Sequence, residues 1–169
     1  MRKTFIFDFD DTLANFTVYN TIVLKQPVKV LPHIGGTIKG AEEILEMLSR
    51  KGDRLFMLSM NIVLNEEQKW KKLERVGMRR WFNERNSFFV RKKTPHKIRE
   101  ICRGSNPSHC YMVGNSLTND VIPSLEAGIN VIYIPRPVWK RLIPRSKPTS
   151  DRIFALKDIR EIREIYPEL

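Results

Sequence analysis

Short apolar runs that end in polar residues alternate along the chain with stretches whose apolar positions recur at helical spacing. Thr4 to Phe7 is the first such run; it stops at carboxylates, as a buried strand does on reaching the edge of a sheet. From Lys39 to Arg50 the apolar positions Ala41, Ile44, Leu45, Met47 and Leu48 predict a helix, with Gly52 where a C-terminal cap belongs. Leu55 to Leu58 predicts a second strand ending at Ser59, and Asn65 to Val76 a second amphipathic helix closed by Gly77. Ser87 to Val90 predicts a third strand, followed by a helix that Pro95 opens and that runs through Ile98 and Ile101 to Cys102. Tyr111 to Val113 gives a fourth strand, Asp120 to Ala127 a short helix ended by Gly128, and Val131 to Ile134 a fifth strand. Arg152 to Leu156 adds a sixth strand and Lys157 to Ile165 a closing helix.

This alternation predicts an α/β fold: a doubly wound, Rossmann-like parallel sheet with helices on both faces, joined by right-handed crossovers. Two segments break the pattern. Residues from about 14 to 36 combine β-branched residues with Gln26-Pro27, Leu31-Pro32 and Gly35-Gly36, which predicts a short flap hairpin. Residues 135–150 carry Pro135, Pro137, Pro144 and Pro148 among Arg136, Lys140, Arg141, Arg145 and Lys147, which predicts an irregular, basic surface segment.

Composition narrows the picture. With 169 residues, 41% of them hydrophobic, one domain spanning 1–169 is expected. The net charge of +11 favours anionic partners, with phosphorylated ligands and nucleic acids foremost. Two cysteines, Cys102 and Cys110, make no disulfide framework, and the early acids at positions 8, 10 and 11 exclude a signal-peptide core, so a cytoplasmic location is expected. No apolar run approaches the roughly 20 residues that span a bilayer. His33, His96, His109, Cys102 and Cys110 lack the spacing of a closed zinc site. Lys71, Lys72, Arg75, Arg79 and Arg80 are expected on the wet face of their helix, with Trp70 and Trp81 in the core.

In a doubly wound sheet the ligand site lies beyond the carboxyl ends of the strands, where Asp8, Ser59, Lys92 and Asp120 fall. The two-residue spacing of Asp8 and Asp10 directs both carboxylates to one side of an extended segment, and two converging carboxylates repel unless a cation joins them. Mg²⁺ suits this role, because it takes carboxylate oxygen and substrate phosphate together, with Asp120 as a further oxygen donor. One carboxylate can then attack phosphorus while the other protonates the departing alcohol and later activates water. Ser59 and Lys92 are placed to offset charge on the transferred phosphoryl group.

The order Asp8-Phe9-Asp10-Asp11-Thr12, then Ser59 after its strand, Lys92 before Pro95, and Gly114-Asn115 through Asp120 resembles the four motifs of the haloacid dehalogenase-like hydrolases. The resemblance covers about residues 3–135 and is similar in layout to the small magnesium-dependent phosphatases. It implies a phosphomonoester hydrolase with Asp8 as nucleophile, Asp10 as general acid/base, Thr12 supporting the loop, Ser59 and Lys92 on phosphate, and Mg²⁺ at Asp8, Asp10, Asp120 and Asn115. Asn115 stands where the family often has an aspartate, so it offers a carbonyl oxygen without charge. Lys92 fits the Lys-x-x-Pro spacing, and Lys93 and Lys97 compete with it. The short flap and the short interval from Ser59 to Lys92 leave no room for a full cap domain, which implies an open site for a small or macromolecular substrate, or one that a second copy closes. A nucleic-acid-binding or nucleic-acid end-phosphatase module is the alternative that the charge and Asn115 suggest.

Overall fold

A computed structural model describes residues 2–15, 35–62, 64–135 and 150–169 of the chain. Among the described residues, six parallel strands lie in the order β3-β2-β1-β4-β5-β6. They are β1 (Thr4–Phe7), β2 (Arg54–Met60), β3 (Ser87–Val90), β4 (Cys110–Gly114), β5 (Asn130–Tyr133) and β6 (Ile153–Ala155). The α-helices among the described residues are α1 (Ala41–Arg50), α2 (Glu66–Arg75), α3 (Pro95–Ile101), α4 (Ile122–Ala127) and α5 (Ile162–Ile165). The doubly wound sheet that the alternation predicts is thus the one observed.

β1 is the central strand and is buried on both faces, which is why its sequence is a continuous apolar run rather than an alternating one. Its pleat divides the core in two. Phe5 and Phe7 join Met57, Tyr111 and Val113 under Ile44, Leu45 and Leu48 of α1, Leu73 of α2 and Ile162 of α5. Ile6 points the other way and joins Leu58 and Met112 under Ile98 and Ile101 of α3 and Ala127 of α4. Phe5 stacks on Tyr111 with ring centroids 5.3 Å apart, tying β1 to β4.

Local signals set the helix ends. Asn65 caps α2 in a reciprocal box: its side chain accepts from the Gln68 N–H at 2.9 Å, and the Gln68 side chain accepts from the Asn65 N–H at 3.0 Å. Thr94 caps α3, with Pro95 in the first turn.

Two predicted elements differ in detail. The helix expected over Asp120 to Ala127 is preceded by a widened π-helical turn, Leu117–Val121, so Asp120 sits in that turn rather than at the start of α4. The closing helix begins as a 3-10 turn, Ile159–Glu161, after Asp158 accepts from the Arg160 N–H at 2.9 Å. Of the predicted flap, residues 16–34 lie outside the described residues. Its base is described: Ala14 bridges Thr37 in antiparallel fashion, with Asn15 N–H donating to Gly36 at 2.8 Å and Ile38 N–H to Leu13 at 2.8 Å. Of the basic segment, residues 136–149 likewise lie outside the described residues. Among the described residues, no helix is long and apolar enough to cross a membrane.

Candidate active site

The chain winds outward from β1 through β2 to β3, then returns to β4 on the other side of β1, so the strand order reverses between β1 and β4. A crevice opens at the carboxyl ends of strands where such a reversal occurs. The loops that leave β1 and β4 border it, and they carry Asp8 to Thr12 and Asn115 to Asp120.

Asp8 extends the ladder by one residue, its N–H donating to the Val113 carbonyl at 2.9 Å, and this fixes its side chain beside the end of β4. The chain then turns sharply: the Phe9 carbonyl accepts from the N–H groups of Leu13 and Ala14, both at 3.0 Å, and Asp11 takes a left-handed conformation with φ 62°. Asp is among the few non-glycine residues that tolerate that region. The turn buries Phe9 and Leu13 and brings the Thr12 hydroxyl to 3.4 Å from Asp8 Oδ2.

Lys93, just ahead of α3, is buried and donates to Asp8 Oδ1 and to Asp120 Oδ1, both at 2.6 Å. The other oxygen of Asp120, Oδ2, accepts from the N–H groups of Asn115 at 3.0 Å and Ser116 at 2.8 Å. The π-helical turn and Gly114 make this possible, because a Cβ on Gly114 would lie 2.7 Å from Asp120 Cβ and collide with its carboxyl group. Burial pushes the Asp8 carboxyl up to about 7; Lys93 opposes this, while Asp120 and Asp10 add to it. Burial pulls the Lys93 ammonium down, but Asp120 and Asp8 outweigh it and hold its pKa above the ordinary lysine value.

A second cluster stands at the end of β2. Lys69 Nζ lies 2.8 Å from Asp10 Oδ2 and 2.5 Å from Ser59 Oγ, and both Lys69 and Ser59 are buried. Lys72, one turn along α2, donates to the Asn15 carbonyl at 2.7 Å and lies 3.6 Å from Asp10 Oδ1. Burial lowers the Lys72 pKa.

The structure therefore brings Asp8, Asp10, Thr12, Ser59 and Asp120 to one end of the sheet, but it sorts the acids differently from the sequence reading. Asp8 and Asp120 share Lys93, whereas the Asp10 carboxylate is held by α2. Lysines thus supply charge compensation that the sequence reading assigned to a metal alone. Lys92 is exposed, and Lys97 pairs with Glu100 at 2.8 Å, so Lys93 is the one of the three in the cluster. Lys72 departs from the wet face assigned to it, while Lys71, Arg75, Arg79 and Arg80 are exposed as expected. Lys69 is not among the residues that the motifs mark, yet its spacing carries a signal. Lys69, Lys72, Leu73 and Val76 have the i, i+3, i+4, i+7 spacing of a core-facing stripe, and a lysine on such a stripe needs an anion.

The donor set suits a hard cation. Among the described residues, the hydrogen bond to Asp8 Oδ2 is the 3.4 Å one from Thr12, and the Asn115 side chain makes none. Both are oxygen donors, and Mg²⁺ is commonly held by one or two carboxylates completed by water and substrate phosphate, not by an all-protein cage. Among the described residues, no three His, Cys, Asp or Glu side chains group as such a cage.

Comparison with solved structures agrees with this topology. The chain superposes on a haloacid dehalogenase-like family hydrolase of Xanthomonas campestris with a TM-score of 0.79 and 14% identity, covering 99% of this chain and 95% of that one. The chain has the haloacid dehalogenase-like fold. A haloacid dehalogenase phosphatase of Thermococcus onnurineus matches at a TM-score of 0.68 and 17% identity, over 98% of both chains. A magnesium-bound hydrolase of this fold from Bacillus subtilis matches at 0.68 and 16%, over 99% of this chain and 98% of the other. Among curated proteins, the glyceraldehyde 3-phosphate phosphatase of Methanothermobacter thermautotrophicus is 25% identical over 123 residues, 70% of this chain. The chain spans about half the length of that relative, 53%. No model of a known protein family matches the chain.

Proposed function

We propose that this haloacid dehalogenase-like chain is a magnesium-dependent phosphomonoesterase that works through an aspartyl phosphate on Asp8. The observation that carries the proposal is the buried Asp8–Lys93–Asp120 cluster at the strand-order reversal, with both carboxylates 2.6 Å from one ammonium. Such a carboxylate is fixed in direction and can accept a phosphoryl group without moving.

In the first step an Asp8 oxygen attacks phosphorus and the phosphorus–ester oxygen bond breaks. The departing oxygen takes a proton from Asp10. In the second step Asp10 removes a proton from water, the water oxygen attacks phosphorus, and the bond to Asp8 breaks to release inorganic phosphate. Lys93 holds Asp8 in line and offsets charge in both steps, and Ser59 and Thr12 flank the phosphoryl oxygens as donors. When bound, Mg²⁺ at Asp8, Asn115 and Asp120 neutralises phosphate charge.

The fold of the hydrolases above and the name of the curated relative support the reading, and glyceraldehyde 3-phosphate is the first substrate to try. The test is turnover of p-nitrophenyl phosphate and a panel of sugar and triose phosphates with Mg²⁺ and with EDTA. Activity that requires the metal and vanishes in Asp8→Asn is expected. Equal activity in Asp8→Asn and the native chain would remove Asp8 from the mechanism.

A further inference from the structure

The two buried lysines of α2 have no part in the chemistry just described, yet burying an ammonium is costly unless something specific receives it. Here the receiver is Asp10. We infer that Lys69, supported by Lys72, is a positioning residue that fixes the Asp10 carboxylate for proton transfer to and from the leaving-group oxygen. The inference rests on the role given to Asp10 above.

The two oxygens of Asp10 are in different situations. Oδ2 is held at 2.8 Å by Lys69, whose ammonium also reaches Ser59 Oγ at 2.5 Å. The side chain of Lys69 is 1% exposed and Ser59 is fully buried, so this bridge ties the turn after β1 to the end of β2 at a fixed length. Oδ1 is buried and makes no hydrogen bond among the described residues. It lies 3.6 Å from Lys72, which is itself anchored on the Asn15 carbonyl at 2.7 Å and stands 5.5 Å from the centre of the Phe9 ring. Oδ2 is therefore clamped by Lys69, and Oδ1 faces the Lys72 ammonium.

The clamp matters because Asp10 sits on a turn, where the carboxylate would otherwise sample several rotamers. A general acid misplaced by about 1 Å loses on the order of 10²-fold in rate. Lys69 also couples Ser59, assigned above to the phosphoryl group, to Asp10, so both are positioned by one side chain from a helix whose N-terminus is closed by a reciprocal capping box.

Leaving-group dependence separates positioning of an acid from general support of the fold. An alkyl phosphate needs its leaving oxygen protonated, whereas the p-nitrophenolate of p-nitrophenyl phosphate departs without a proton. Lys69→Met should lower kcat for glycerol phosphate or another alkyl phosphate about 10–100-fold more than for p-nitrophenyl phosphate, with KM little changed. Lys72→Met should show the same bias at smaller size. The ratio of the two substrates is read within one preparation, so a reduced folded fraction cancels; if Lys69→Met does not fold, Lys69→Gln reads the same ratio.

Asp10→Asn is the control. A selective loss of alkyl phosphate turnover in Asp10→Asn, matched by Lys69→Met, is the expected result. An equal fall on both substrates in Lys69→Met, or none, while Asp10→Asn remains selective, overturns the positioning role and leaves the Asp10 assignment standing. If Asp10→Asn itself keeps native turnover of alkyl phosphates, the Asp10 assignment falls and the inference falls with it.

Discussion

Replacing Asp8 by Asn should destroy turnover and at the same time stabilise the metal-free protein, by an amount that depends on pH. The folded protein holds the Asp8 proton until about pH 7, against an ordinary carboxyl value of 3.8. A pKa raised by folding favours the protonated form in the fold. Its contribution is therefore complete below 3.8 and is lost as pH climbs towards 7. At 1.36 kcal/mol per pH unit, the loss across that window reaches an upper limit of about 4 kcal/mol. Asn has nearly the same shape and stays neutral, so it escapes the loss. Lys93 gives up one of its partners in the variant but keeps Asp120 at 2.6 Å, so no charge is left alone in the core. Allowing for that lost contact, the net gain at pH 8 should be about 2 kcal/mol, or roughly 4–8 °C in Tm for a chain of this size. Thermal unfolding in EDTA, followed by circular dichroism at pH 5, 6.5 and 8, reads it. The two curves should nearly coincide at pH 5, separate as pH rises to about 7 and stay apart at pH 8, with Asp8→Asn the more stable. Added Mg²⁺ should raise the native Tm and leave the variant almost unmoved, because ligand bound only to the fold stabilises it by mass action. A Tm difference that is flat from pH 5 to 8, or an Asp8→Asn protein less stable than the native one at pH 8, would refute the claim that burial and neighbouring acids keep this carboxyl protonated.

Lys93→Met should lower kcat about 10²–10³-fold, as loss of one fixed donor does in other enzymes, while Lys92→Met on the exposed neighbour should leave kcat within about twofold; steady-state kinetics on the two variants decides between adjacent lysines. Gly114→Ala inserts a methyl group where the Asp120 carboxyl lies, and should cost about 1–3 kcal/mol by denaturant unfolding and weaken Mg²⁺ dependence of activity together. Asn65→Ala removes the acceptor for Gln68 N–H and should cost about 1 kcal/mol in urea unfolding with no change in KM.

The sheet was legible because its central strands are buried on both sides, and a run such as Thr4 to Phe7 has no reading on a wet face. The acids were legible for a related reason: a strand that ends abruptly in carboxylates places them at the sheet edge whatever follows. What stayed hidden depends on direction rather than position. Lys92 and Lys93 are adjacent in the connection between β3 and the cap at Thr94, where Lys92 is exposed and Lys93 buried. Spacing to Pro95 selects Lys92, yet the direction of β3 and the cap at Thr94 turn Lys93 inward, and neither is written in the spacing. The lysines of α2 were concealed by their residue type. Charge suggests solvent, whereas their stripe with Leu73 and Val76 points to the core, and the Asp10 carboxylate across 59 residues of sequence helps to reconcile the two.

Asp120 marks the same limit. A helix beginning there was a sound expectation from its apolar spacing, but five residues wound as a π turn carry its carboxylate back over Gly114 to the N–H groups of Asn115 and Ser116. π-helical turns are rare and recur at functional sites, since they re-aim one side chain at the cost of regular hydrogen bonding. That turn, the left-handed Asp11 and the buried lysines lie in the loops after β1, β3 and β4 and in α2. Regular elements of the fold follow local rules and can be read residue by residue. The places where local rules fail are those where the site draws side chains from β1, α2, α3 and β4 onto one another, and such contacts exist only once the sheet has formed.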